Sequence, residues 1–309
     1  MNDVLEYLLT APIDAAAPAD LEQAWARHAA VAAAFRSPVD CAVAGGFAAD
    51  RLGFAFLSGY QEALRKLVPE LVGPELIAVS ATEEGGAHPA AIRTEVVPAG
   101  NGWVVRGTKT FTTMGDQARQ LVVIAGTGEV VDGRPRLRAA LVAAGQPGVT
   151  VTNRPPLPMA PEIPHATVVF EDAAARLLPG DGYADFLKPF RTVEDVHVLA
   201  ATLGWLVRVG RAAGWPRPVL QRLLATVAMV RGLDMDAPTS PGVHIALGGI
   251  FAEFDRLLAE AEPLWEQVDA VTRERWERDR PLLATAGRVR AQRLATAWRR
   301  VGFGEEIAG

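Results

Sequence analysis

The chain has 309 residues, half of them hydrophobic, a formal charge of −5 and a single cysteine, Cys41. This length and apolar content suffice for two or three domains with real cores, and the mild acidity gives no reason to expect nucleic acid or an anionic membrane surface as partner. One cysteine excludes an intramolecular disulfide and any cysteine-based zinc site, which makes a reducing cytoplasm the simplest location.

The N-terminus, Met1-Asn2-Asp3-Val4-Leu5-Glu6, carries acid where a secretory signal carries base. No apolar run reaches the roughly 20 residues that span a bilayer. Residues 18–71 follow a helical period. Asp20 is the expected N-cap of a first helix, and Leu21, Trp25, His28 and Ala32 fall near one of its faces. A second helix is expected from about Asp40 through Phe47, Leu52, Phe56 and Leu64. Gly45, Gly46, Gly53 and Gly59 weaken it unless neighbours pack closely against them. Pro69 and Gly73-Pro74 end this region.

From 76 to 178 the period changes. Short β-rich runs at 76–81, 92–97, 103–106, 108–113, 121–125, 137–143 and 167–171 are separated by Gly, Pro, Asn and Asp, the spacing of an antiparallel barrel or sandwich. Asn101-Gly102 reads as a two-residue hairpin loop. After Pro179-Gly180-Asp181-Gly182 the helical period returns, with helices expected over 186–213, 217–231, 242–270 and 273–300 and a loop over 231–241. The chain is therefore expected to be an α+β multidomain protein. Residues 1–75 form an N-terminal helical domain, 76–178 a middle antiparallel β-barrel, and 179–309 a C-terminal α-helical bundle.

The residues that bear chemistry cluster in the β-region. Ser80-Ala81-Thr82-Glu83-Glu84-Gly85-Gly86 ends a strand in a Gly-rich turn, and Gly102-Trp103-Val104-Val105-Arg106-Gly107-Thr108-Lys109 leads into Thr110-Phe111-Thr112-Thr113. Phe111 and Thr113, two apart on a strand, point to one face, and Thr82 offers a second hydroxyl at another strand end. Such a face suits a flat, mostly apolar slot with a few hydrogen bonds. Taken singly, threonines here are also good strand formers and Phe111 a good core residue.

In order and spacing these segments resemble the middle domain of the acyl-CoA dehydrogenases. In that family a Thr-Glu-x-x-x-Gly-Ser-Asp strand end and a Lys-x-Trp-Ile-Thr-Asn strand bracket the isoalloxazine of FAD. The resemblance covers about residues 40–300 and is strongest between 76 and 123. It implies that Thr113 bonds flavin N5 and that Phe111 takes the place of the usual tryptophan. Ser80, Ala81 and Thr82 would line the pyrimidine side, with Thr112 completing the cofactor-binding strand. The implied activity is FAD-dependent α,β-desaturation of an acyl-CoA or acyl-carrier thioester, by α-proton removal and hydride transfer. A homo-oligomer, dimer or tetramer, is implied as well. A flavin monooxygenase is a further activity that the same fold supports.

One subgroup of the family carries its base in a Leu-Glu-Arg-Leu-x-x-Ala-x-x-x-x-Gly helix. Here Val193-Glu194-Asp195-Val196 precedes Leu203-Gly204, so Glu194 falls on the base position with Asp195 where arginine is usual. The residues themselves allow a second reading, with Thr192 as N-cap and the acids compensating a helix dipole. The pattern departs from the family elsewhere too. Ala87-His88-Pro89 stands for Gly-Ser-Asp, and the Arg-x-x-Phe-Gly order is missing from the 231–241 loop. Trp298 occupies the glutamine place before Val301-Gly302-Phe303-Gly304, and the late-loop glutamate of another subgroup would fall past Gly309. These departures motivate an alternative: a cofactor-poor, catalytically inactive relative acting as a binding or partner subunit, including a hetero-oligomer with an intact enzyme.

His28, His88, His165, His197 and His244 show no metal-ligand spacing, and no metal is expected. His88 is expected as a surface turn residue and His197 as a packing residue. The run from Arg273 to Arg280 mixes both signs at helical spacing and reads as a solvated helix face.

Overall fold

In a computed structural model, which describes residues 3–14, 16–71, 73–131 and 133–304, the chain divides into two compact units. One is helical and joins residues 1–66, 158–162 and 192–309; the other holds the β-structure, in residues 67–157 and 163–191. The helices at the two ends of the chain thus share one unit.

The β-unit is a closed barrel. Its strands are β1 (Ile77–Ser80), β2 (Glu95–Ala99), β3 (Gly102–Thr113), β4 (Gln120–Val131), β5 (Arg134–Ala143), β6 (Val149–Asn153) and β7 (His165–Leu177). β4, β2, β3, β7 and β5 pair in a ring, which leaves no open edge among them, and β6 adds to β7. The barrel is not wholly antiparallel: β1 runs parallel to β4, Ile77–Ser80 lying against Gln120–Val123. The interior is filled by small and β-branched side chains, among them Val96, Val105, Leu121, Val123, Ala140, Val142 and Phe170.

Two local expectations shift. The β2–β3 loop is Gly100-Asn101, one residue earlier than the sequence signal, because Ala99 pairs with Gly102. Gly100 takes φ +57° at the first loop position, where a left-handed residue turns twisted strands back on each other. The runs 103–106 and 108–113 are one strand. Opposite Gly107, with φ +134°, β7 carries one extra residue between Phe170 and Ala173, and a Cβ on Gly107 would lie 2.7 Å from Thr94 Cα.

Two residues beyond Gly107, Lys109 turns into the protein and is wholly buried. Its ammonium donates to Glu83 Oε1 at 2.7 Å, to the Ile124 carbonyl at 2.6 Å and to the Ala81 carbonyl at 3.4 Å. Glu83 in turn accepts from the backbone amides of Arg93 and Thr94 at 2.7 and 3.0 Å. Burial pulls the Lys109 pKa down to about 8 against the pull of Glu83. For Glu83, burial works upward, but Lys109 and the two amides outweigh it and hold the carboxyl below its usual range.

In the helical unit, α1 (Val4–Thr10), α2 (Leu21–Ala32), α3 (Pro38–Ala48) and α4 (Leu52–Leu67) precede α5 (Lys188–Ala212), α6 (Arg217–Arg231), α7 (Pro241–Ala261), α8 (Ala270–Asp279) and α9 (Gly287–Arg300). Asp20 caps α2 as expected, its side chain accepting from Gln23 N. The single helix expected over 40–64 is two, parted at Asp50-Arg51. Gly46 and Gly59 are points of close approach: a Cβ on Gly46 would run into the Ala201 carbonyl and one on Gly59 would lie 2.6 Å from Val198 Cα, while from α5 one on Gly204 would meet the Val43 carbonyl. The two long C-terminal spans also break, at Pro263 and Pro281. Each proline opens a 3₁₀ turn, because it lacks the N–H that an α-helix interior needs.

The 273–280 run is only partly a solvated face. Trp276 is buried in a cluster with Trp205, Trp215 and Trp265, stacked on Trp265 at 4.6 Å between ring centroids. Asp279 is fully buried and accepts from Ala160 N at 2.7 Å and from Arg278. Among the described residues no helix is long and apolar enough to cross a membrane, and no cluster of His, Cys, Asp and Glu could hold a metal ion.

Lys109→Met is expected to destabilise the protein by ~3–5 kcal/mol in chemical denaturation, because Glu83 keeps its buried charge without a partner. Adding Glu83→Gln should return part of that loss, since an amide oxygen still accepts from the two backbone amides. A second prediction concerns His197, which is buried, bonded through Nδ1 to the Val193 carbonyl and has its pKa pushed down to about 4, mainly by burial. The folded protein resists a proton that the unfolded chain takes near pH 6.5. Stability should therefore fall as pH drops from 6.5 to 4, by on the order of 3 kcal/mol. In His197→Gln, urea midpoints should lose much of that slope.

Candidate functional site

The β-unit brings six of the sequence-derived residues together. Thr82 bridges to Phe111, and Thr110 N donates to the Thr82 carbonyl at 2.9 Å, so the end of β1 lies against the end of β3. A second irregularity in β3 decides which side chains face outward. Lys109 pairs with Val168 but Thr112 with Ala166, so three steps on β3 answer two on β7. The extra residue lets Lys109 and Thr112 both point inward, while Thr110, Phe111 and Thr113 stay half-buried.

Ser80 and Thr112 are fully buried and share a hydrogen bond of 2.9 Å between their hydroxyls. Their hydroxyls satisfy each other, and they fix the two strands. Ala81 is buried as well, its carbonyl facing Lys109. The residues that present side chains are Thr82, Phe111 and Thr113. The hydroxyls of Thr82 and Thr113 find no hydrogen-bond partner among the described residues.

Two further residues join this face without having been expected there. His165, at the start of β7, pairs with Thr113 and places its ring 4.3 Å from that of Phe111. Arg154 donates from Nη1 to the Thr110 carbonyl at 3.0 Å and holds its guanidinium 5.8 Å from the Phe111 centroid. Burial, reinforced by the Arg154 charge, lowers the His165 pKa against the opposing pull of the Ile163 carbonyl and Asp116, and keeps the imidazole neutral. Both residues lie more than 40 positions along the chain from Phe111, so only the β3–β7 register reveals them. His88 is exposed as expected. Its Nδ1 accepts from Ala90 N, capping a short 3₁₀ turn, Pro89–Ala91.

Glu194 belongs to the helical unit. The capping alternative for it does not hold: α5 begins at Lys188, after a turn capped by Asp181, so Thr192 lies within the helix. Thr192 is buried, and its hydroxyl bonds His244 Nε2 at 3.2 Å and Arg293 Nη1 at 3.3 Å. Asp195, also buried, pairs with Arg293 and, at 3.2 Å, with Arg290. Burial raises its pKa even against both guanidiniums. Glu194 and Asp195 line a cavity of about 100 Å³ whose other walls include Phe56, Val198, Phe251, Leu282 and Leu283. Half-buried Glu194 thus lines a mostly apolar space, and the helix that carries it is fastened by its neighbour. Arg290 and Arg293 lie one turn apart on α9, about 95 positions from Asp195, so no local stretch of sequence marks them as its partners.

Residues 78–173 match the model of the acyl-CoA dehydrogenase middle domain. The β-unit is thus similar to the middle domain of the acyl-CoA dehydrogenases. Over 95 residues it is 39% identical to cyclohexane-1-carbonyl-CoA dehydrogenase of Geobacter metallireducens, a match covering 30% of this chain and 24% of that protein. The chain thus spans about a quarter of the length of that curated relative. Glutaryl-CoA dehydrogenase from Mycobacterium smegmatis superposes with a TM-score of 0.67 at 15% identity, over 98% of this chain and 93% of the other. The FAD complex of PigA gives 0.64 at 15% identity, over 92% and 90%. At such identities the superpositions establish the fold.

Asp195→Ala should lower stability by ~3–5 kcal/mol, because two partly buried guanidiniums lose their counter-charge. Thermal unfolding followed by far-UV circular dichroism checks this.

Proposed function

We propose that this chain is a member of the acyl-CoA dehydrogenase family, an FAD-dependent flavoprotein that desaturates an acyl thioester between its α and β carbons. The observation that carries the reading is the face formed by Thr82, Phe111 and Thr113, with two half-buried residues whose hydroxyls have no partner among the described residues beside a held aromatic ring. That combination fits a flat heteroaromatic ligand with polar edges. When bound, FAD supplies the hydride acceptor. Thr113 and Thr82 would offer hydrogen bonds to its polar edge, Phe111 would wall its ring, and the backbone of Ser80, Ala81 and Thr112 would complete the slot.

Glu194 is the proposed base. It lines the small cavity, where a carboxylate is placed to accept a proton from a bound group. The family's arginine after the base is Asp195 here, but Asp195 brings two arginines of α9 to the same place. A cavity of about 100 Å³ admits only a short group without movement of Leu282 and Leu283, which supports a small acyl chain as substrate. Exposed Val289, Trp298, Val301 and Phe303 on and after α9 support self-association.

A second reading, a cofactor-poor partner subunit, is favoured by His88. The imidazole at the family's pyrophosphate-binding serine position already accepts from Ala90 N. The absorption spectrum of the purified protein separates the two. Bands of bound flavin, bleached by a short acyl-CoA, are expected; a colourless protein that takes up no added FAD would sink the enzyme reading. Glu194→Gln should bind flavin normally and slow bleaching by at least ~100-fold, the lower end of general-base contributions. Unchanged bleaching would remove Glu194 from the reaction.

A further inference from the structure

His165 is a buried imidazole whose Nδ1 has no hydrogen-bond partner among the described residues. Such an orphan is costly, and a threonine or an aliphatic residue at the start of β7 would avoid it. The position of the ring suggests what is gained. The imidazole lies 4.3 Å from Phe111 at 33°, a tilted ring contact. Its backbone is pinned on both sides: His165 pairs with Thr113, its carbonyl accepts from Arg154 N at 2.8 Å, and Met114 N donates to the Pro164 carbonyl at 2.7 Å. Arg154 stands near the Phe111 ring, and its charge and that of Asp116 are the ones felt at His165. Phe111 itself lies within the bulge in β3, between Lys109 and Thr112, where it has no partner on β7 and bridges only to Thr82.

Resting on the flavoprotein reading, we propose that His165 is a positioning residue of the flavin face. Its imidazole and the Phe111 ring form one composite two-ring wall, doing together what a single larger aromatic would do at position 111. His165 does not touch the reacting atoms; it acts through Phe111. The wall needs the area and planarity of a second ring and makes no use of a hydrogen bond from Nδ1, which accounts for the tolerated orphan nitrogen.

The test is a cycle of variants, read by the Kd for FAD from flavin fluorescence quenching and by the visible circular dichroism of bound flavin. His165→Ala should weaken FAD binding about 3- to 10-fold and reduce the flavin dichroism. His165→Phe should retain both. Phe111→Trp should restore affinity in the His165→Ala background while changing little with His165 present. Near-UV thermal melts identify any variant that has failed to fold, and the Phe replacement then carries the comparison. Equal Kd and dichroism in His165→Ala and wild type would overturn the inference and leave the flavoprotein reading standing. Equal losses in the Ala and Phe variants, or no rescue by Phe111→Trp, would overturn it too. A wild-type protein without affinity for FAD would overturn both.

Discussion

The Lys109 ammonium sits inside the barrel wall, away from water, and four segments of the β-unit meet on it. It donates to carbonyls at the end of β1 and in β4, and its carboxylate partner Glu83 collects two amides at the entry to β2. A lone charge buried in this way would cost several kcal/mol, so the pair is tolerable only when every donor and acceptor is in place. That demand makes the arrangement specific. Thr82 precedes Glu83 and Phe111 follows Lys109 by two residues, so the interaction that closes the barrel also sets one strand end of the candidate site against the other.

The helical unit is ordered by different means. Its closest approaches are backbone to backbone, at Gly46 against the Ala201 carbonyl and Gly204 against the Val43 carbonyl, which brings α3 and α5 together with no side chain between them. Elsewhere bulk does the work, in the cluster of four tryptophans from α5, the segment after it, the 3₁₀ turn at Pro263 and α8. Charge enters where helices must be keyed. Asp195 is held by two arginines of α9, and Asp279 is held by Arg278 and the Ala160 amide. Each pair ties a specific turn of one element to a specific turn of another, which apolar packing alone would leave free to slide.

Much of this was legible along the chain, because caps, breakers and strand alternation are local. Asp20 capping α2, the helix 217–231 and the strand ends around Thr82 and Phe111 all follow from neighbours within a few residues. The strand β6 was missed: its Val149–Asn153 run is short and largely exposed, so it carries little hydrophobic signal. The bulge after Lys109 was missed because an inserted residue leaves no compositional mark. It turns Thr112 inward, where its hydroxyl bonds that of Ser80.

By itself the sequence determined the order of helical, β and helical segments and the place of the Thr82–Phe111–Thr113 face, together with the family that this pattern resembles. These depend on periodicity and turn chemistry, which act over a few residues. Tertiary structure alone decided which hydroxyls face outward, that His165 and Arg154 stand beside Phe111, and that Asp195 fastens the helix of Glu194. It also decided that residues at opposite ends of the chain share one helical unit. Each of these joins positions far apart in sequence, fixed by strand register and by the geometry of packed helices, and neither is encoded in any local stretch of the chain.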